Sequence, residues 1–280
     1  MRILITGGHG QLGKALMGLP DMAKHEATAT DVDTLDILDA EKLFAAADEL
    51  KPDVIFHCAA YNAVDKAETD RDAAYAVNVT GTRNIAMAAQ RVGAKLVAIS
   101  TDYVFYGDGD EPLRTDAPKA PQTWYGQTKH LGEQEALERC EKTFVVRTAW
   151  LFGDGNNFVR TMIRLGQSRD ELTVVCDQHG SPTYATDLAA FILALCQTER
   201  YGVHHFCNRG YTTWAEFAAE IMRQAGLSTR IRPVTSAEYG SVARRPFNSR
   251  LSLDKLAEIG MPMPRPWQDA LAAYLAAGQK

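Results

Sequence analysis

Residues 2–13 read RILITGGHGQLG, and the fold turns on them. The apolar run RILIT passes without a spacer into a glycine-rich turn. That turn opens into GQLGKALMGL, whose apolar residues recur at helical spacing. Gly8, Gly10 and Gly13 fit G-x-G-x-x-G, while Gly7, Gly10 and Gly13 fit the related G-x-x-G-x-x-G. Small residues here permit a tight strand-to-helix turn, let backbone N–H groups approach a pyrophosphate and let the helix lie close on the sheet. Asp31 follows eighteen residues after Gly13 and ends a second, weaker strand pattern, HEATAT. A carboxylate there can accept hydrogen bonds from adenosine ribose hydroxyls and repels a 2′-phosphate. It favours NADH without barring NADPH.

The alternation continues outward. DVIFHCAA, KLVAIS and TFVVRT are short apolar runs, and between them lie the helical patterns AEKLFAAADEL, DRDAAYAVNVTGTRNIAMAAQRVG and YGQTKHLGEQEALERC. Strands apolar on both faces, alternating with helices, predict an α/β fold: a Rossmann-type doubly wound parallel sheet with right-handed crossovers. After about residue 150 the alternation loosens. NFVRTMIRLGQ, DLAAFILALCQ and TWAEFAAEIMRQAG read as helices and GVHHFCN as a short strand. The expectation is a dinucleotide-binding domain over 1–150 and a smaller C-terminal, mainly substrate-binding lobe over 151–280, with room for the chain to cross between them.

KLVAIS ends on Ser100 with Thr101 next, an odd finish for a core strand unless its carboxyl end delivers hydroxyls to a cleft. Tyr125 and Lys129 stand four apart at the start of a helical pattern, so both project from one face. A phenol titrates near pH 10 in the open; a nearby ammonium favours the phenolate and is expected to lower that value. The same lysine can reach a cofactor's ribose, and the Thr101 hydroxyl can hold a substrate carbonyl beside the phenol.

At 280 residues with a net charge of −5, the chain has length for a sizeable core and no basic footprint for nucleic acid. No apolar run approaches a membrane span, and MRILITGG enters a strand directly, so no membrane partner and a reducing cytoplasm are expected. Five scattered cysteines without a CxxC read as free thiols. His57, inside an apolar run, reads as a hydrogen-bonded core residue. His204 and His205 point to opposite faces of a strand and cannot readily share a metal, so no metal site is read from these residues. DGDE at 108–111 reads as a solvated loop.

Together these features resemble the extended short-chain dehydrogenase/reductase family, and within it the branch that reduces dTDP-linked 4-keto-6-deoxyhexuloses. The resemblance runs nearly end to end, through GGHGQLG, DILD, PDVIFHCAAYNAVDKAE, AYAVNVTGTRNIA, ISTDYVF, YGQTKHLGE, VVRTAWLFG, NNFVRTMIRLG, DQHGSPTYATDLA and ARRPFNSRL. It implies that Tyr125 is the proton donor, Lys129 its partner and Thr101 the hydroxyl that orients the sugar. It implies cofactor contacts, to NADH or NADPH, from Gly7, Gly10, Gln11, Leu12, Asp31, Asp36, Ile37, Ala60, Tyr61 and Asn62, together with Tyr125 and Lys129. Substrate contacts would come from Thr101, Asp102, Trp150 and Arg245. Asn62 stands where the family has a hydroxyl residue, and Tyr106 where it has an acidic or small one. A homodimer and a divalent ion at a subunit contact are open on this resemblance, with no ligands identified for the ion. Two other readings stay open: a nucleotide-sugar epimerase or dehydratase of the same superfamily, and a non-catalytic cofactor-binding subunit resembling the regulatory subunit of methionine adenosyltransferase.

Overall fold

Burial of apolar runs sets the architecture. The computed structural model describes residues 1–240 and 245–278. Five strands follow the sequence pattern: β1 (Arg2–Thr6), β2 (Glu26–Thr30), β3 (Val54–His57), β4 (Lys95–Thr101) and β5 (Thr143–Thr148). With the strand Gly202–His205 they form one parallel sheet, in the order Gly202–His205, β5, β4, β3, β1, β2. The order reverses between β1 and β3, and a crevice opens at such a switch point beyond the carboxyl ends of the strands.

The helices are α1 (Gln11–Met17), α2 (Ala40–Leu50), α3 (Val64–Ala67), α4 (Arg71–Tyr75), α5 (Thr82–Val92) and α6 (Trp124–Arg139). The C-terminal half adds α7 (Phe158–Gly166), α8 (Ala185–Leu195) and α9 (Trp214–Ala225). Leu12 and Leu16 of α1 join Leu188, Phe191 and Ile192 of α8 against Ile3, Ile5, Phe56 and Phe144 on one side of the sheet. Leu43, Ile85, Ala89 and Ala136 pack with Leu4, Ile55 and Leu96 on the other. The sheet is therefore covered on both faces. The chain also crosses between lobes, since α8 and Gly202–His205 lie with β1–β5 although they follow residue 150. The smaller lobe has its own core, in which Phe152, Val159, Leu172, Phe217, Ile221, Trp267 and Leu271 surround the parallel pair Glu171–Val175 and Arg230–Val234.

Between α4 and α5 the predicted single helix contains a π turn, Ala76–Gly81. π turns recur where a helix must re-aim a residue. Here the residue is the buried Asn78, whose amide accepts from the Tyr61 N–H at 2.8 Å and donates to Thr128 Oγ1 of α6 at 3.0 Å. A Cβ on Gly132 would lie 2.3 Å from the Asn78 carbonyl oxygen, and one on Gly126 would lie 2.3 Å from that of Tyr103. Those two glycines let α6 press against its neighbours. Gly132→Ala should therefore lower the free energy of unfolding by about 1–3 kcal/mol, read from the urea midpoint, because backbone rather than a flexible side chain blocks the new methyl.

Candidate active site

A cleft of about 360 Å³ opens at the carboxyl edge of the sheet and runs between the two lobes. Its floor is the glycine turn. Gly7 takes a φ of +70°, and a Cβ there would lie 2.6 Å from the Ala59 nitrogen; one on Gly13 would lie 2.4 Å from the Gly7 carbonyl oxygen. Only bare backbone fits, which leaves the turn open toward a ligand. Gln11 and Leu12 line the cleft beside it, and the buried Gln11 Oε1 has no hydrogen-bond partner. An orphaned acceptor of this kind is costly unless a ligand or water donates to it.

The central wall comes from β4 and α6. Thr123 caps α6 by accepting from the Gly126 N–H at 3.0 Å, and Glu68 accepts from the Trp124 N–H at 2.8 Å. This anchored first turn places Tyr125 and, one turn on, Lys129 against the end of β4. The Tyr125 hydroxyl shares the cleft with Thr101 and lies 3.5 Å from Asn62 Oδ1, and its ring meets Tyr103 edge-on at 5.4 Å. The Lys129 ammonium donates to the Ile99 carbonyl oxygen at 2.7 Å. Thr101 donates to Asp102 Oδ1 at 2.9 Å, and Ser249 donates to the other carboxylate oxygen at 2.5 Å.

The electrostatics correct one expectation. The Tyr125 phenol is not acidic in this cleft: burial pushes it well above its usual value near 10. Burial lowers Lys129 itself to about 8, with the charge of Glu133 partly offsetting the effect. Desolvation penalises each charged form, so it drives an acid up and a base down. The pair therefore consists at neutral pH of an intact phenol and a largely protonated amine. Burial likewise raises Asp102 to about 6, against the hydrogen bonds from Ser249 and Thr101.

The far end of the cleft is aromatic. Trp150 takes a φ of +51°, rare for a bulky residue, and its indole stacks on Trp214 at 3.8 Å and 17°. A Cβ on Gly180 would lie 2.8 Å from that indole, so three positions cooperate to hold the wall. Arg245 lines the cleft while its guanidinium pairs with Asp65 at 2.8 Å.

Of the residues singled out from the sequence, Gly7, Gly10, Gln11, Leu12, Ala60, Asn62, Thr101, Asp102, Tyr125, Lys129, Trp150 and Arg245 all line this cleft. Asp31, Asp36, Ile37 and Tyr61 lie outside its lining. Asp31 touches the glycine turn, accepting from the His9 N–H at 2.9 Å. Asp36 accepts from the Leu38 N–H, Ile37 is buried against Gly81, and the Tyr61 hydroxyl donates to Asp70 at 3.0 Å. Gln178, Trp214, Pro246 and Ser249 also line the cleft and were not anticipated. Gln178 and Ser249 fall within the motifs DQHGSPTY and NSRL. Trp214 opens α9 just behind the Thr213–Glu216 capping box, a signal of helix start and not of a site. His57 is a satisfied core residue, bonded to Thr6 at 2.8 Å and Thr82 at 3.0 Å, and all five cysteines are free.

Comparison with known proteins places this geometry. A family described as the RmlD substrate binding domain matches residues 1–280. A dTDP-4-dehydrorhamnose reductase of Streptomyces griseus is 43% identical over 278 residues, covering 96% of this chain and 91% of that protein. The crystal structure of a dTDP-4-dehydrorhamnose reductase from Clostridium acetobutylicum superposes with a TM-score of 0.98 at 42% identity over 100% of both chains. That of the Bacillus anthracis protein, in complex with NADP, gives 0.96 at 43% identity over 99% of both. Among the described residues, no helix is long and apolar enough to cross a membrane.

The cleft's electrostatics can be read directly. Side-chain NMR of the lysine ammonium groups should show one resonance titrating near pH 8 that disappears in Lys129→Arg. A midpoint near the ordinary 10.5 would mean the amine is not desolvated as described.

Proposed function

Because the chain belongs to the RmlD substrate binding domain family, we propose that it reduces dTDP-4-dehydro-L-rhamnose to dTDP-L-rhamnose. The observation that carries this reading is a neutral phenol, a protonated amine and a strand-end hydroxyl gathered in one cleft beside a glycine turn. The bare backbone at Gly7 and Gly13 and the unpartnered Gln11 oxygen fit a dinucleotide. NADH or NADPH, when bound, supplies the hydride that reduces C4 of the sugar. Asp31 beside the turn supports NADH as the better fit.

The chain's own groups bind, orient and protonate. The Thr101 hydroxyl, on turning from Asp102, holds the keto oxygen next to Tyr125, and the phenol gives its proton to the oxygen as negative charge develops there. The phenol still holds its proton at working pH, as reduction requires, and burial makes that proton harder to give up unless positive charge nearby stabilises the phenolate. Lys129 supplies positive charge that stabilises the phenolate left behind, and it holds the cofactor ribose. Trp150, backed by Trp214, forms the apolar wall for the sugar, and Arg245, once released from Asp65, is placed for the diphosphate. Five free thiols and a nucleotide-linked substrate support a cytoplasmic site of action.

Tyr125→Phe tests the assignment. It should lower kcat by about 10²–10⁴-fold while the Kd for NADH changes by less than about threefold. Normal turnover of the keto sugar by that variant would remove Tyr125 from its role.

A further inference from the structure

Behind the reacting groups lies a buried ion pair that the proposed chemistry has not used. Glu133 follows Lys129 by one helical turn on α6, on the face that carries Tyr125 and Lys129. Its carboxylate accepts two hydrogen bonds from Arg147 of β5, both at 2.7 Å, and one from the Ser100 hydroxyl at 2.5 Å. The two charged side chains are 4% and 1% exposed. Arg147 also rests on the Phe105 ring at 5.0 Å and donates to the Thr115 carbonyl at 3.0 Å. Glu133 and Lys129 line one small cavity of about 10 Å³, together with Ser100, His57 and Thr82.

The surroundings of Lys129 narrow the source of its counter-charge. The titratable groups that act on it are Glu133 from its own helix and His57 and Cys58 from the end of β3, and Tyr125 shares its helix face and its cleft. Burial keeps three of them uncharged: it pushes His57 down to about 3, Cys58 up to about 12 and the Tyr125 phenol up. Asp102 lies on the other side of Tyr125 and acts on the phenol. Burial alone would raise Glu133, but the bonds from Arg147, with help from His130, hold it well below the usual carboxylate range. Among the described residues facing the amine, Glu133 is the anion.

We propose that Glu133 is a positioning residue for the reduction: locked by Arg147 and Ser100, its carboxylate keeps Lys129 protonated in a dry site and ties the end of β4 to the catalytic helix. Replacing a buried pair by apolar side chains often leaves stability unchanged, whereas removing one partner strands a charge. The pair's electrostatic role can thus be separated from a scaffolding role. The inference rests on the reductase reading, so its test carries a readout that needs no turnover.

The experiment measures kcat for the keto sugar and the Kd for NADH from pH 6 to 10, in the wild type, Glu133→Gln and the double variant Glu133→Gln/Arg147→Met. Both variants should move the alkaline limb of each profile to lower pH, by about one pH unit in the single variant. At pH 8 kcat should then fall about five- to tenfold, while at pH 6 it stays within about threefold of wild type. A smaller shift in the same direction in the double variant supports the proposal, because no stranded Arg147 remains to cause it. Limbs that coincide with wild type in the double variant overturn it, even if thermal stability falls. If Glu133→Gln fails to fold, the double variant carries the test alone. A wild type that binds NADH but does not turn over the sugar removes the reductase reading, and the NADH profiles still decide this inference.

Discussion

The close approach of α6 to its neighbours is the constraint on which the site depends. Backbone carbonyls of Tyr103 and Asn78 sit where Cβ atoms on Gly126 and Gly132 would be, so the helix lies nearer than any other residue at those two places allows. That proximity presses Tyr125 and Lys129 against the last residues of β4. The π turn that presents Asn78 is part of the same arrangement, since Asn78 bonds both to the Tyr61 segment and to Thr128 on the helix. Sheet, π turn and helix together fix one phenol, one amine and one hydroxyl at the mouth of the topological switch.

Desolvation then acts on the groups so placed. It raises the phenol and lowers the amine, drawing Lys129 toward working pH while keeping Tyr125 a proton donor. A phenol that is neutral at working pH carries the proton that reduction of a carbonyl consumes. The same logic explains why Glu133 is never alone: a carboxylate this deep persists only because Arg147 meets it with a fork of two hydrogen bonds.

Much of this was legible in the sequence because it is written locally. RILIT, KLVAIS and TFVVRT announce their strands by apolar density, the glycine turn announces itself by position, and Tyr125 and Lys129 share a face by spacing alone. What escaped depends on distant parts of the chain. Gly202–His205 pairs with β5 across more than fifty residues, and nothing within GVHHFCN states which sheet it will join. Trp214 meets the cleft where it stacks on Trp150, and Ser249 where Asp102 accepts its hydroxyl, and both contacts join residues far apart in the chain. The sign of the Tyr125 shift escaped for a related reason: spacing brings a cation near, but only the folded surroundings show that burial outweighs it. Arg147 and Glu133 were read as parts of a strand and a helix, since neither motif reveals that two charges will meet inside. Asn62, singled out as a departure from the family pattern, lies beside the Tyr125 hydroxyl.

The central claim, that the phenol in this cleft holds its proton until a substrate oxygen takes it, is tested most directly by ultraviolet difference titration. Phenolate absorbance would be followed from pH 6 to 11 in the wild type and in Tyr125→Phe, and the two curves subtracted. The account predicts no phenolate attributable to Tyr125 below about pH 10. A difference signal with a midpoint near 7, present in the wild type and absent from the variant, would contradict it.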